Sequence, residues 1–274
     1  MAMRLMSLEI ITLLKVGSCM TLDILISTFG QRMPDIETLL LPPDEGVHYY
    51  ICHQNAPSGN VDAEFLKRGD VTYIVTDTIG VAKSRNILIK SATADIVYFC
   101  DDDVRLRDDI YSFLVDKHQR FSDNVILFSI KDEYGNFRKK YPSEVVKKTK
   151  MNILSVGTIE ISIKNKNIPE FPEDMGAGST LPIGDEAVFL SKVLAAKGTI
   201  IFFPDTIAFH PMESTGMVPD AKSVIARGVT LKRVFGVLAP FLAIAFFIRR
   251  RALFKIPQGF FQSIKLLMKG VLKG

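Results

Sequence analysis

Three consecutive carboxylates, Asp101, Asp102 and Asp103, stand inside the segment "DIVYFCDDDVRL" (95–106). The five residues before them, Ile96 to Cys100, are apolar and read as a buried strand. At a strand end the three charges repel one another and resist desolvation, so the stretch calls for a cation, and a divalent metal is the expected one. An acidic pair, Asp185 and Glu186, opens a predicted helix behind a Gly-rich loop, and His210 stands alone in "FHP". Mg²⁺ and Mn²⁺ take carboxylate oxygens, and Mn²⁺ accepts an imidazole. A metal held by few protein groups keeps positions open for substrate phosphates, which suits a diphosphate leaving group. Each feature has a plainer reading: a solvated acidic turn, compensation of a helix dipole, a structural histidine. Their order on alternating strands and helices favours one site.

The elements that must carry these residues are legible as alternating segments. Strands are predicted at 22–29, 47–53, 71–76, 95–100, 124–130, 153–165 and 199–205. Helical patterns lie between them at 81–94, at 107–121 with Ile110, Phe113, Leu114 and Phe121 on one face and acids in its first turn, and from Asp185 to Gly198. Alternation of this kind predicts an α/β fold, a mostly parallel central sheet with helices on both faces. Ligands of such sheets bind beyond the carboxyl ends of the strands, where the aspartates fall. The polar, basic stretch "KDEYGNFRKKYPSEVVKKTK" after residue 130 reads as a loop or mobile flap.

With 274 residues, 47% of them apolar, the chain has the length for one large domain with an appendage and is neither disordered nor collagen-like. Cys19, Cys52 and Cys100 lack metal-ligand spacing and suit a reducing cytosol. The net charge of +4 conceals an asymmetry. Residues 221–274 hold eleven Lys and Arg and no acid, leaving 23 basic and 30 acidic residues before them. A basic, apolar tail on an acidic body points to an anionic membrane surface or to nucleic acid. "VFGVLAPFLAIAFFI" (234–248) is free of charge and flanked by cations. As one helix it would be about 22 Å long, short of a bilayer core, and Pro240 would kink it. Its uninterrupted apolar run fits lipid better than a base-stacking platform, so a membrane partner and no nucleic acid are expected. The first 19 residues are interrupted by Glu9 and Lys15 and do not read as a secretory signal. A short amphipathic helix and a start at Met20 both remain open.

No Walker-type loop is present, and no G-x-G-x-x-G follows a strand. A haloacid-dehalogenase-type phosphatase would need Thr or Val where Arg105 stands. A sugar nucleotidyltransferase would open with a Gly-rich, Arg-containing loop and a Pro-Lys pair, whereas the first strand exits into "STFGQRMP". "GVAKSRNILIKSATADIVYFCDDDV" and, after it, "GAGSTLPIGDEAVFL" and "KGTIIFFPDTIAFHP" resemble the family-2 glycosyltransferases with the GT-A fold, a Rossmann-like nucleotide-diphospho-sugar transferase architecture.

The resemblance covers residues 20–215 and implies a donor-binding half at 20–130 and an acceptor half at 131–217, between an extension at 1–19 and a membrane-associating tail at 218–274. It implies Asp101, Asp103 and His210 as ligands of Mn²⁺ or Mg²⁺. Donor contacts would come from Thr28, Gln54, Lys83, Arg85, Asn86, Asp101 and Asp102. Glu186 falls at the general base, and because the family's usual Glu-Asp order is inverted here, Asp185 is the other candidate. The implied function is metal-dependent, inverting transfer from a nucleotide-diphosphate sugar, a UDP-sugar, to a hydroxyl of a glycan or lipid-linked acceptor in surface polysaccharide assembly, on the cytoplasmic face of the inner membrane. A membrane-anchored, non-catalytic sugar-nucleotide-binding protein and a sugar nucleotidyltransferase are the competing readings.

Overall fold

The computed structural model describes residues 20–57, 63–211, 220–257 and 259–274. The expectations for residues 1–19, Cys19 among them, and for the junction at 217–218 lie outside these residues. Strands β1 (Leu22–Phe29), β2 (Val47–Gln54), β3 (Val71–Thr76) and β4 (Ile96–Asp101) pair in parallel in the order β3-β2-β1-β4. Their alternation sorts side chains by face. Leu22, Ile24, Ile26, Ile96 and Tyr98 enter one core with Ile110 and Leu114 of α2 (Ile110–Arg120). Leu25, Val97 and Phe99 enter the other with Leu88 of α1 (Val81–Ser91) and Phe189 of α3 (Asp185–Ala195). Asp108 and Asp109, expected inside the first turn of α2, precede it.

The second half of the sheet is mixed. β5 (Arg105–Leu106) pairs with β9 (Ile200–Phe209), β6 (Val125–Lys131) runs parallel to β9, and β7 (Val146–Lys147) pairs with β9 from the other direction. Only part of the predicted 153–165 strand forms, as β8 (Ile161–Lys164), and it runs antiparallel to both β4 and β6. The reason is the connection. Between β6 and β8 the described chain has no α-helix to carry it back across the sheet, only a 3-10 turn at Thr158–Glu160, so it re-enters from the end at which β6 left. That re-entry leaves Thr158 and Glu160 beside the carboxyl ends of the parallel strands. The basic loop after β6 is anchored rather than free, because Tyr141 stacks on Phe202 of β9 with ring centres 5.8 Å apart.

The tail forms α4 (Ala221–Phe235), α5 (Ala239–Arg249) and α6 (Phe260–Lys273) around a core of its own that includes Val224, Leu231, Ala243, Phe247 and Leu267. The charge-free run is therefore not one helix. Gly236, at φ 58° and ψ −122°, breaks it, and Pro240 stands in the first turn of α5, where its missing N–H costs nothing. Gly228 and Gly270 let α4 and α6 touch through their backbones: a Cβ on Gly228 would lie 2.2 Å from the Leu267 carbonyl oxygen. The tail also packs on the body, Val229 and Val234 sharing a cluster with Met175, Ala187 and Val188. Arg233 grips Asp174 with both nitrogens, at 2.7 and 2.6 Å.

Candidate active site

Each of the three aspartates faces a different nitrogen-bearing side chain, two guanidiniums and an imidazole. Arg85 Nη2 lies 3.3 Å from Asp101 Oδ1, Arg32 Nη1 lies 3.1 Å from Asp102 Oδ1, and His210 Nε2 lies 3.3 Å from Asp103 Oδ1. At Asp101 and Asp102 the repulsion that the sequence suggested a metal must relieve is thus met by guanidiniums, and Asp103 is left facing an imidazole. Burial still pushes the Asp102 carboxyl up, against the pull of Arg32 and of the Thr28 hydroxyl, which falls short of a sound hydrogen bond. Asp102 Oδ2 and Thr28 Oγ1 are left buried without a partner.

Arg85 is the hub. Its side chain is 7% exposed and its Nη1 donates to Asp185 Oδ2 at 2.7 Å, with Glu186 Oε1 at 3.9 Å. One guanidinium therefore ties the end of β4 to the start of α3. Phe99 of β4, Phe171 and Phe189 of α3 fix the same spacing beneath it: Phe171 and Phe189 stack at 4.1 Å, and Phe99 meets both edge-on. Such contacts are worth about 0.5–1.5 kcal/mol each beyond burial. Gly184 caps α3 at φ 97° and carries no Cβ, which would sit 2.0 Å from Thr230 Oγ1 of α4. The tail is thereby built into the acidic corner.

Asp185 and Glu186 are neighbours in unlike surroundings. Asp185 is buried, and desolvation, then the Glu186 charge, push its carboxyl from 3.8 to about 8, with Arg85 opposing. Glu186 keeps 22% of its side chain exposed and accepts a hydrogen bond from Thr158 Oγ1 at 2.7 Å. A carboxyl raised by folding stabilises below its unfolded pKa and loses that contribution as pH climbs to the folded value. Asp185→Asn should therefore flatten the fall in thermal stability between pH 4 and pH 8, roughly the interval set by this shift. Melting curves that decline as steeply as those of the parent protein would place the proton elsewhere.

A cavity of about 600 Å³ opens at this point, lined among others by Thr28, Arg32, Gln54, Arg85, Asp101, Asp102, Asp103, Asp185, Glu186 and His210. Its size suits a small-molecule ligand. Two of the expected donor contacts do not line it. Asn86 lies one residue, about 100°, round α1 from Arg85, and instead brackets Phe171: its Oδ1 accepts from the Phe171 N–H at 2.8 Å and its Nδ2 donates to the Phe171 carbonyl at 3.1 Å. It thus positions the aromatic trio. Lys83, half-buried on α1, is likewise absent from the lining. Gln54 lines the cavity, but its Nε2 donates to the Thr78 and Gly80 carbonyls at 2.8 and 3.2 Å and pins the loop before α1.

The residues at Asp103 fit a metal in one respect. His210 Nδ1 lies 2.7 Å from the Pro211 carbonyl, an obligate acceptor, which assigns the proton to Nδ1. In the neutral ring the Nε2 lone pair then faces the Asp103 carboxylate, an arrangement that a cation between them would satisfy. A backbone carbonyl orienting the far nitrogen is the usual support of a ligating histidine. Among the described residues no three Asp, Glu, His or Cys side chains form a metal-holding group, and Asp101 is turned to Arg85. A metal here would have Asp103 and His210 as its protein ligands and draw the rest of its shell from water and substrate.

Sequence reasoning missed Arg32, Thr158 and a second cavity of about 440 Å³ on the other side of Glu186, between the body and the tail. Glu186 and Ile183 line both cavities. Arg32 sits in the "STFGQRMP" exit of β1, where an Arg after a strand was the available signal.

Residues 57–177 match the family model described as Glycosyl transferase family 2. Solved structures of S. aureus TarS are similar. One covers 92% of this chain at 16% identity and a TM-score of 0.66, and the chain spans about half, 49%, of that protein. TarS residues 1–349 give 15% identity and a TM-score of 0.65 over 92% of this chain and 80% of that one. The same fragment in complex with UDP-GlcNAc gives 14% and 0.61, over 92% and 82%. No curated protein matches the chain by sequence. The chain has a glycosyltransferase family-2 type of fold, a single mixed, mostly parallel sheet with flanking helices consistent with a GT-A-like Rossmann architecture.

Proposed function

We propose that the protein transfers a sugar from a nucleotide-diphosphate sugar to an acceptor hydroxyl with inversion at the anomeric carbon. The observation that carries this reading is the place of Glu186, in the wall shared by the aspartate-lined cavity and the second one. A base must reach the acceptor while the donor lies in the first cavity, and Glu186 alone of the acidic pair lines both. Asp185 is held by Arg85 and lines the donor cavity only. The TarS structures hold UDP and UDP-GlcNAc, which supports a uridine donor here.

Glu186 Oε1 accepts from Thr158, leaving Oε2 to take the proton of the acceptor hydroxyl as its oxygen attacks the anomeric carbon. The bond from that carbon to the diphosphate oxygen breaks on the opposite face, and the electron pair leaves with the diphosphate. A divalent cation, held by Asp103 and His210, would stabilise the charge growing on that leaving group. Arg85, engaged by Asp101 and Asp185, acts as the tie between donor and base rather than as a free diphosphate contact. Thermal melts against a panel of nucleotide sugars, with and without Mn²⁺, test the reading: a shift that needs both a UDP-sugar and metal supports it, and no shift with any nucleotide rejects it.

The tail, in this reading, seats the enzyme on the cytoplasmic face of a membrane without crossing it. The helical stretch Ala221–Arg249 is long and apolar enough to span by length and composition, with mean hydropathy 1.9 and 28% of its most apolar window buried. Its first half is docked on the body, however, and Gly236 breaks it. Phe241, Ile244 and Ile248 lie along the exposed side of α5, with exposed Val237 in the turn just before it and Arg249, Arg250 and Arg251 at its end. Apolar side chains beside cations suit anionic lipid, each cation near the surface being worth ~1 kcal/mol. The full chain should pellet with anionic vesicles, and a Phe241→Ser, Ile244→Ser variant should stay in the supernatant. Equal sedimentation of the two proteins would show that α5 is not the lipid contact.

A further inference from the structure

The second cavity is lined by three cations, Arg138, Lys139 and Arg227, and two acids, Glu160 and Glu186, and it leaves guanidinium nitrogens unpaired. Arg138, from the loop after β6, and Arg227 of α4 both line it. Arg138 Nε and Arg227 Nη1 are buried with no hydrogen-bond partner, and neither side chain forms an ion pair among the described residues. The acid that acts on Arg227 is Asp220, two turns back along α4, and burial outweighs it, holding the guanidinium below its ordinary range. Lys139 is different: it pairs with Glu160. Buried donors are almost always satisfied, and an anion seated in this cavity would give the unpaired nitrogen of each half-buried arginine a charge-assisted partner. Around them the wall is apolar, with Leu154 from the body and Phe246 and Leu253 from the tail.

We propose that this cavity is the acceptor site and that the acceptor carries a phosphate, held by Arg138 and Arg227 while its hydroxyl reaches Glu186. The inference rests on the reading of Glu186 as the base facing both cavities. Guanidinium forks match phosphate oxygens, which favours a phosphate ester over a neutral glycan. The phosphate source is either a lipid-linked acceptor, whose alkyl chain would lie along Phe246 and Leu253, or a soluble phosphorylated polyol.

Titration calorimetry on the full chain separates these cases, with decyl phosphate, glycerol phosphate and inorganic phosphate as probes and UDP with Mn²⁺ as the donor control. Decyl phosphate or glycerol phosphate should bind without displacing UDP. Arg138→Gln and Arg227→Gln should each weaken that binding by about tenfold or more, with UDP affinity unchanged. Arg227→Lys should restore part of the loss. Both Gln variants should fold, since each removes a buried group without a partner, and their UDP binding verifies it. Tighter binding of decyl phosphate than of glycerol phosphate assigns the lipid source, and equal binding assigns the soluble one. Phosphate binding that persists unchanged in the double variant, or that competes with UDP, overturns the proposal. Arginine-dependent phosphate binding by a protein that ignores UDP would leave the anion site standing and remove the donor reading instead.

Discussion

Glu186→Gln lowers turnover by roughly 10²–10⁴-fold, the usual worth of a general base, while donor affinity stays nearly unchanged. The amide keeps the shape of the side chain and can still accept from Thr158, so α3 and the cavity wall remain in place. What is lost is the capacity to take a proton. Asp185→Asn gives a smaller fall in turnover, because Asp185 is buried against Arg85 and does not line the second cavity. Steady-state kinetics with saturating donor read the two variants side by side. The reverse ranking would move the base to Asp185 and with it the acceptor to the other side of α3.

Asp103→Ala abolishes the metal dependence of donor binding and leaves the fold intact. Asp103 is the most exposed of the three aspartates and faces His210. Asp101 and Asp102 keep their own cations, Arg85 and Arg32, when Asp103 is removed. The apo protein should therefore melt no lower, and slightly higher if residual repulsion among the three charges is relieved. Donor affinity should fall to one value, the same with and without Mn²⁺. A variant that binds UDP-sugar with unchanged metal dependence would show that the ion sits elsewhere.

The acidic groups were legible in the sequence because their chemistry is local. "DDD" at the end of an apolar run and "DE" after a Gly-rich loop are patterns within a few residues, and the structure sets both at the rim of one cavity. Their partners were not legible. Arg32, Thr158, Arg138 and Arg227 come from four separate segments, and no spacing along the chain links them to the aspartates or to Glu186. Strand alternation likewise located β8 without giving its direction, which depends on the path of the connection from β6. Asn86 shows a limit of another kind. On a helix, adjacent residues point about 100° apart, and here Arg85 turns to the cavity while Asn86 turns to the Phe171 backbone. The tail was read from its charge and apolar run as an appendage. Its packing against α3 follows from small residues at points of contact, Gly184 against Thr230 above all, a signal visible only in three dimensions.

A crystal structure of the full chain with UDP and Mn²⁺ tests the central claim most directly. The account predicts nucleotide in the cavity lined by Thr28 and Gln54, a Mn²⁺ ion on Asp103 and His210 beside the diphosphate, and the second cavity free of nucleotide with Glu186 between the two. Diphosphate seated on Arg138 and Arg227, or nucleotide bound without metal at Asp103, would contradict it.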